Sequence, residues 1–176
     1  QLGIDEFRRL VREERATLAT DVRWTSFLDD LSAHDEQPLK PAQALDDGGG
    51  DRAFQAWART NVYHQRQTGY AVTTVTLPLG DLSSDQLRGL ANLARRFVGD
   101  SVRTTVEQNI VLRWVRESDL PGLYRDLERI GLARPGAESI ADITACPGTD
   151  TCKLGIASSR GLAAELERQL SGQIDT

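Results

Sequence analysis

The sequence lacks several features that identify common classes of protein. Among its 176 residues there is no Met, there are only two Cys and two His, and aromatic residues make up 6%. A disulfide scaffold of a small secreted domain usually carries more cysteines. No run of ~18 apolar residues occurs, so we expect no membrane-spanning helix. The N-terminus also lacks the cationic and then apolar layout of a signal peptide. These absences indicate the cytoplasm, and the missing Met indicates an excerpt of a longer protein.

The charge balance excludes two kinds of partner. The net charge is −5, with 39% hydrophobic and 27% charged residues, which is typical of a globular chain with a modest core. An acidic chain has no general attraction to nucleic acid or to anionic membrane, so we expect neither partner. The length fits one domain, or one domain with extensions.

The N-terminal part is predicted to be a helical extension and a linker over residues 1–50. Residues 3–18 show an amphipathic helical pattern, with apolar side chains near one face at Ile4, Phe7, Val11 and Leu18. A second short helix is expected around Phe27, Leu28 and Leu31. Residues 34–50 contain two prolines and a glycine run, which predicts a linker or an exposed loop.

From Tyr70 onward the pattern predicts alternating strands and helices. The predicted elements are, in order, strand Tyr70–Leu77, a helix capped by Ser83 or Ser84 and running to about Val98, strands Val102–Val106 and Ile110–Val115, helix Glu117–Ile130 and strand Ile140–Ala145. This βαββαβ order is the ferredoxin-like motif of the α+β class, with one antiparallel sheet and both helices on one face. The fold hosts many unrelated functions and does not by itself indicate an activity.

Both cysteines follow the last predicted strand. Cys146 comes at its end, and Cys152 falls in the first turn of a C-terminal helix predicted over Thr151–Leu170. Thiolate is the form that ligates metal, and a helix N-terminus stabilises an anion. Lys153 adds a local cation, and Pro147–Gly148 predicts a tight turn that lets the backbone approach a bulky inorganic group. This arrangement would suit an iron site.

Three other interpretations of the cysteine pair stay open at this point. The two thiols could form a disulfide, could be buried without any chemical role, or could supply half of a zinc site. The spacing of five residues is longer than zinc sites usually have, and the two histidines, His34 and His64, lie far away in sequence.

A polar segment spans the predicted hairpin, with donors at Arg103, Gln108 and Asn109. These side chains could serve the turn itself or could bind carboxylates and other anions. Residues 61–67 are similarly polar and are either a surface lead-in or a ligand edge. The three tryptophans lack the spacing of a stacking surface and are expected in the core or at an interface.

Residues 103–110, then 144–148 and Cys152, resemble the siroheme-dependent nitrite and sulfite reductases. The resemblance covers about Asn61 to Leu170, and Leu2–Phe7 is similar to the segment that joins the two halves of such enzymes. It implies siroheme coupled to a 4Fe–4S cluster and a six-electron reduction, of nitrite to ammonia or of sulfite to sulfide. The family's cluster motif is C-x5-C followed by C-x3-C; Cys146 and Cys152 match the first pair, and nothing in the chain matches the second.

The resemblance also implies an organisation and a set of roles. Residues 51–145 would be a ferredoxin-like half-domain, and residues 146–176 the truncated start of the siroheme and cluster domain. It implies cofactor contacts by Arg103, Gln108, Asn109 and Lys153, no catalytic residue in the excerpt, and no turnover by the excerpt alone. The implied partners are the missing first half, a ferredoxin or nicotinamide-linked electron donor, and a small anion. Apolar surface left by the missing half would allow a homodimer.

Two alternatives from other classes remain. One is a stand-alone ferredoxin-like binding or regulatory module with non-catalytic thiols. The other is a thiol-redox or zinc half-site protein that dimerises through its cysteines.

Overall fold

The computed structural model describes residues 3–26, 28, 36–46 and 51–170. The chain divides into two units, Gln1–Glu36 and Gln37–Thr176. In the first unit, helix α1 (Ile4–Thr17) confirms the predicted amphipathic helix, although none of its residues is buried. Residues 23–26 form a further helical turn. Phe27 and Leu31 of the predicted second helix lie outside the described residues.

The second unit contains a four-stranded antiparallel sheet and four helices within its described part. In chain order the elements are α2 (Arg52–Asn61), β1 (Val62–His64), β2 (Tyr70–Val75), α3 (Ser84–Phe97), β3 (Arg103–Thr104), β4 (Ile110–Arg116), α4 (Leu120–Arg129) and α5 (Ser159–Leu170). The strand order is β1-β2-β4-β3, with every neighbouring pair antiparallel. The predicted α+β, ferredoxin-like fold is confirmed. No described helix has the length and apolar character needed to cross a membrane.

Helix α3 shows why local signals set these boundaries. Ser83 accepts a hydrogen bond from the Gln86 backbone, and the Gln86 side chain accepts one from the Ser83 backbone at 3.1 Å. This capping box satisfies two N–H groups that a helix start leaves unpaired. After the helix, Gly99 has φ +106, a left-handed conformation that glycine adopts without strain. The start and end predicted for this helix agree with the structure.

One predicted strand is wrong. Residues 140–145 form no strand, and the fourth strand of the sheet is β1, which pairs with β2 through Val62↔Thr73. Hydrogen bonds turn the chain after Gly136, since Ser139 donates its backbone N–H to Gly136 and Asp142 donates to Ser139. Ile140, which suggested a strand, is 71% exposed. The βαββαβ order is therefore not complete within residues 70–145.

The hydrophobic core of the second unit lies between the sheet and helices α2, α3 and α4. Its fully buried side chains include Trp57, Leu90, Leu112, Leu123 and Leu127. Trp57 packs on Phe54 and Tyr124 with ring centroids 5.9 and 5.2 Å away. The core interpretation of Trp57 is thus confirmed, whereas Trp24 is exposed.

Residues 37–46, here named the strap, run without helix or strand along this unit. The Tyr70 hydroxyl donates to the Lys40 carbonyl at 2.7 Å, and the Lys40 ammonium lies 2.7 Å from the Asp119 carboxylate. The Ser118 N–H donates to the Gln43 carbonyl at 3.2 Å. Part of the segment predicted as a linker is therefore attached to the folded unit.

Candidate functional site

The turn between β3 and β4 lies against the segment that leads to Cys146. Gln108 donates its side-chain amide to the Ala145 carbonyl at 3.0 Å, and the Ala145 N–H donates back to Gln108 Oε1 at 3.4 Å. The Thr144 hydroxyl donates to the Glu107 carbonyl at 3.3 Å. The fold therefore brings together two polar segments that are more than thirty residues apart.

Asn109 joins the same two segments from within. It is 2% exposed, and its side-chain oxygen accepts a hydrogen bond from the Leu77 N–H at 2.9 Å. Its amide nitrogen donates to both carboxylate oxygens of Asp142, at 3.0 and 2.9 Å. Both ends of the amide thus bond within the chain. The other two predicted cofactor-binding residues, Arg103 on β3 and Lys153, have exposed side chains.

Residues 61–67, the third polar segment of the sequence, serve the structure. Asn61 is buried and donates to the carbonyls of Thr74 and Arg134 at 2.9 and 3.0 Å. The Gln65 side-chain oxygen accepts a hydrogen bond from the backbone N–H of Trp114 at 2.8 Å. These contacts favour the structural interpretation of the segment over a ligand edge.

Cys152 does not lie in a helix, contrary to the prediction. Helix α5 begins at Ser159, and residues 146–158, here named the cysteine loop, contain one short 3-10 helix at Gly148–Asp150 and no α-helix. The loop folds back on itself, since the Thr149 N–H donates to the Ala157 carbonyl at 3.2 Å. Gly155 packs so closely that a Cβ there would lie 2.8 Å from the Gly148 carbonyl carbon. This backbone contact excludes a continuous helix from Thr151.

The first residue of α5, Ser159, contacts Cys146. The Ser159 hydroxyl lies 3.2 Å from the Cys146 sulfur and 3.1 Å from the Cys146 carbonyl oxygen, so its one proton can be donated to either. That hydroxyl, and secondly the backbone N–H of Gly148, lower the pKa of the Cys146 thiol. Hydrogen bonds to sulfur favour the thiolate, which is the nucleophilic and metal-ligating form.

Both thiols are free and exposed. The disulfide and buried-thiol interpretations of the pair therefore do not describe this structure. Within residues 3–26, 28, 36–46 and 51–170, no group of three or more His, Cys, Asp and Glu side chains is placed to hold a metal ion. Cys146 and Cys152 can thus offer two ligands, which is half of what a 4Fe–4S cluster takes.

Sequence reasoning missed Ser159 and Arg160, the first two residues of α5. Arg160 donates to the Leu79 carbonyl at 3.3 Å and to Asp81, and it lies 3.3 Å from the Asp150 carboxylate. The signal for the true helix start was Ser158, whose hydroxyl accepts from the Gly161 N–H at 3.3 Å. Serine is a preferred residue at that position, and Gly155 upstream interrupts any earlier helix.

The known proteins to which this chain is similar are nitrite and sulfite reductases. Residues 63–130, called the half domain below, match the family described as the nitrite/sulfite reductase ferredoxin-like half domain. The chain is 26% identical over 114 residues to the ferredoxin–nitrite reductase of Synechococcus elongatus, covering 65% of this chain and 22% of that protein. It is 33% identical over 96 residues to sulfite reductase [ferredoxin] 2 of Mycolicibacterium paratuberculosis, covering 52% and 17%.

A solved structure agrees with these sequence similarities. The NirA protein of Mycobacterium tuberculosis superimposes with a TM-score of 0.52 at 26% identity, covering 78% of this chain and 25% of that one. The chain therefore spans about a quarter, or less, of the length of these relatives.

Proposed function

We propose that this chain, whose residues 63–130 match the nitrite/sulfite reductase ferredoxin-like half domain, serves an enzyme that reduces nitrite to ammonia or sulfite to sulfide. Its part is to supply two of the four cysteine ligands of a 4Fe–4S cluster that is coupled to siroheme. The observation that carries the proposal is the paired contact between Gln108 and Ala145, 3.0 and 3.4 Å long. It joins the polar hairpin turn to the residue before Cys146.

The donor chemistry of the cysteine loop fits a share in a cluster. Cluster ligands must be deprotonated, and the pKa of Cys146 is lowered by the Ser159 hydroxyl and the Gly148 N–H. Both thiols are exposed, so an incoming group can reach them. Two further ligands are needed from beyond the described residues, and a relative about three times as long as this chain is consistent with that need.

The remaining proposed roles concern orientation and charge. When bound, siroheme and the cluster supply electrons to the substrate anion. Arg103 and Lys153 are exposed cations suited to the carboxylates of such a cofactor. Gln108 and Asn109 act by holding the edge of the half domain against residues 142–145, because their amides bond there.

The electron donor is proposed from the relatives. Several are named as ferredoxin-dependent, and one from Klebsiella oxytoca as a nitrite reductase [NAD(P)H] large subunit. We accordingly propose a ferredoxin or a nicotinamide-linked partner as donor, and the rest of the enzyme as the structural partner. This chain alone is expected to turn over neither anion.

The test is to express the complete reading frame that encodes this chain, under anaerobic conditions, and to measure its absorption spectrum, iron and acid-labile sulfide. We expect siroheme absorption and cluster iron in the native protein, and loss of cluster iron and sulfide in Cys146→Ser and in Cys152→Ser. Thr151→Ser, an exposed neighbour without a thiol, is the matched control and should keep both. Reduction of nitrite or sulfite by the native protein completes the assignment.

A colourless, iron-free native protein would contradict the proposal. It would favour the alternative of a ferredoxin-like binding or regulatory module with non-catalytic thiols. That module would keep its function in Cys146→Ser and Cys152→Ser, which separates the two explanations.

A further inference from the structure

The cysteine loop has little apolar packing of its own. Of residues 146–158, only Gly148 is buried. Leu154 is 89% exposed and Ile156 is fully exposed. Burial of apolar side chains therefore contributes little to holding the loop in place, and polar contacts have to provide most of its order.

One of these polar contacts links the loop to the half domain through Arg160. Its guanidinium donates hydrogen bonds on one side to the half domain, at the Leu79 carbonyl and the Asp81 carboxylate. On the other side it forms an ion pair with Asp150 in the cysteine loop, 3.3 Å away. The Arg160 side chain is 24% exposed, so the group is partly shielded from water. A guanidinium has several donors in one fixed plane, which allows it to bond to three acceptors at once.

The position of α5 also sets the shape of the loop. A Cβ on Gly148 would lie 2.2 Å from the Ser159 hydroxyl and 2.9 Å from the Ser159 backbone nitrogen. The loop backbone is thus packed directly against the first residue of α5. Any shift of the helix start relative to the half domain would move the loop with it.

We propose that Arg160 is a positioning residue that fixes the cysteine loop, and with it Cys146 and Cys152, on the half domain before any cluster binds. The inference rests on the proposed function only in assigning a purpose to the two thiols. The fixed loop lowers the conformational entropy lost when the thiols take up a ligand.

Amide hydrogen exchange of the reduced, metal-free chain tests the proposal. In Arg160→Gln we expect about fivefold faster exchange at Thr149, Cys152 and Gly155, because loss of partly exposed ion pairs costs about 1 kcal/mol. All three amides donate hydrogen bonds inside the loop. The exchange rates of the β4 amides should stay as they are in the native chain. The matched control is Arg168→Gln on the same helix, where Arg168 bonds to Glu165 at 2.6 Å.

Asp150→Asn provides a second variant, which removes only the partner in the loop and should accelerate the same three amides. Native exchange in both variants would overturn the proposal. Acceleration that extends through β4 would also overturn it, because it would make Arg160 a determinant of overall stability. An iron-free complete protein would instead reject the proposed function and leave the positioning role standing.

Discussion

The half domain and the cysteine loop are stabilised by different forces. The half domain buries large apolar side chains completely, among them Leu112, Leu123 and Leu127. The loop leaves Leu154 and Ile156 in solvent. Burying one leucine contributes about 2 kcal/mol, whereas an exposed ion pair contributes about 1 kcal/mol or less. The half domain is thus the stable scaffold, and the loop is a lightly held segment on its edge.

This difference suits a site in which a scaffold presents exposed ligands. Both thiols are exposed on the folded loop, so access to them does not require unfolding of the core. The buried Asn109 stands between the two regions, since it bonds to Leu77 in the scaffold and to Asp142 before the loop.

The largest expected effect comes from making the same substitution in both regions. Leu127→Ala removes a side chain that is fully buried in α4, and we expect it to lower the free energy of unfolding by about 3 kcal/mol. Leu154→Ala removes a side chain that is 89% exposed and should change it by less than about 0.5 kcal/mol. Urea denaturation of both variants measures the contrast. Similar costs for the two would show that the loop has an apolar core of its own.

A smaller effect is expected where the two regions meet. Asn109→Asp keeps the acceptor for the Leu77 N–H but places a second carboxylate where the amide now donates to Asp142 at 2.9 Å. We expect a loss of about 2 kcal/mol in unfolding free energy at pH 7. Asn92→Asp is the matched control, because Asn92 is exposed and accepts from Arg95, and it should be nearly neutral.

The pH dependence of the unfolding free energy of Asn109→Asp tests whether like-charge repulsion causes the loss. Repulsion raises the pKa of the carboxyl introduced at position 109 above its unfolded value of about 4. Protonation therefore favours the folded state, and the deficit relative to the native chain shrinks as pH falls through the raised pKa. Urea titrations at pH 7 and at pH 4.5 measure this recovery. A deficit that does not change with pH would mean that like-charge repulsion is not its cause.

The half domain follows from local sequence signals. The capping box at Ser83 and Gln86, the stop at Gly99 and the β-branched run of β2 are each encoded within a few residues. The short strand β1 escaped prediction because three residues cannot show a period-two pattern. Residues 140–145 imitate a strand, yet their turn depends on Asp142 bonding to Asn109, 33 residues away.

The sequence indicated which residues to consider for the candidate site, but it did not indicate how they are arranged. Cys146, Cys152 and Gln108 stand out by residue type and spacing, and the resemblance supplied their chemical context. The end of the loop at Ser159 depends on close packing of Gly148 and Gly155. Arg160 bonds to Leu79 and Asp81, which lie about eighty positions earlier in the chain. Such long-range contacts leave no periodic pattern in the sequence.

The smallest expected effect concerns a single hydrogen bond in the loop. The pKa of Cys146 is lowered first by the Ser159 hydroxyl and then by the Gly148 N–H, so its thiolate forms at a lower pH than an unassisted thiol allows. Ser159→Ala removes the larger contribution. The pH profile for alkylation of Cys146 by iodoacetamide should therefore move upward, and the rate below its midpoint should fall.

Mass spectrometry of the alkylated Cys146 peptide measures this shift. Ser101→Ala, at an exposed serine between α3 and β3, controls for the loss of any surface hydroxyl. An unmoved Cys146 profile would assign the low pKa to Gly148 alone. The start of α5 would then hold the backbone of the cysteine loop without acting on the thiol.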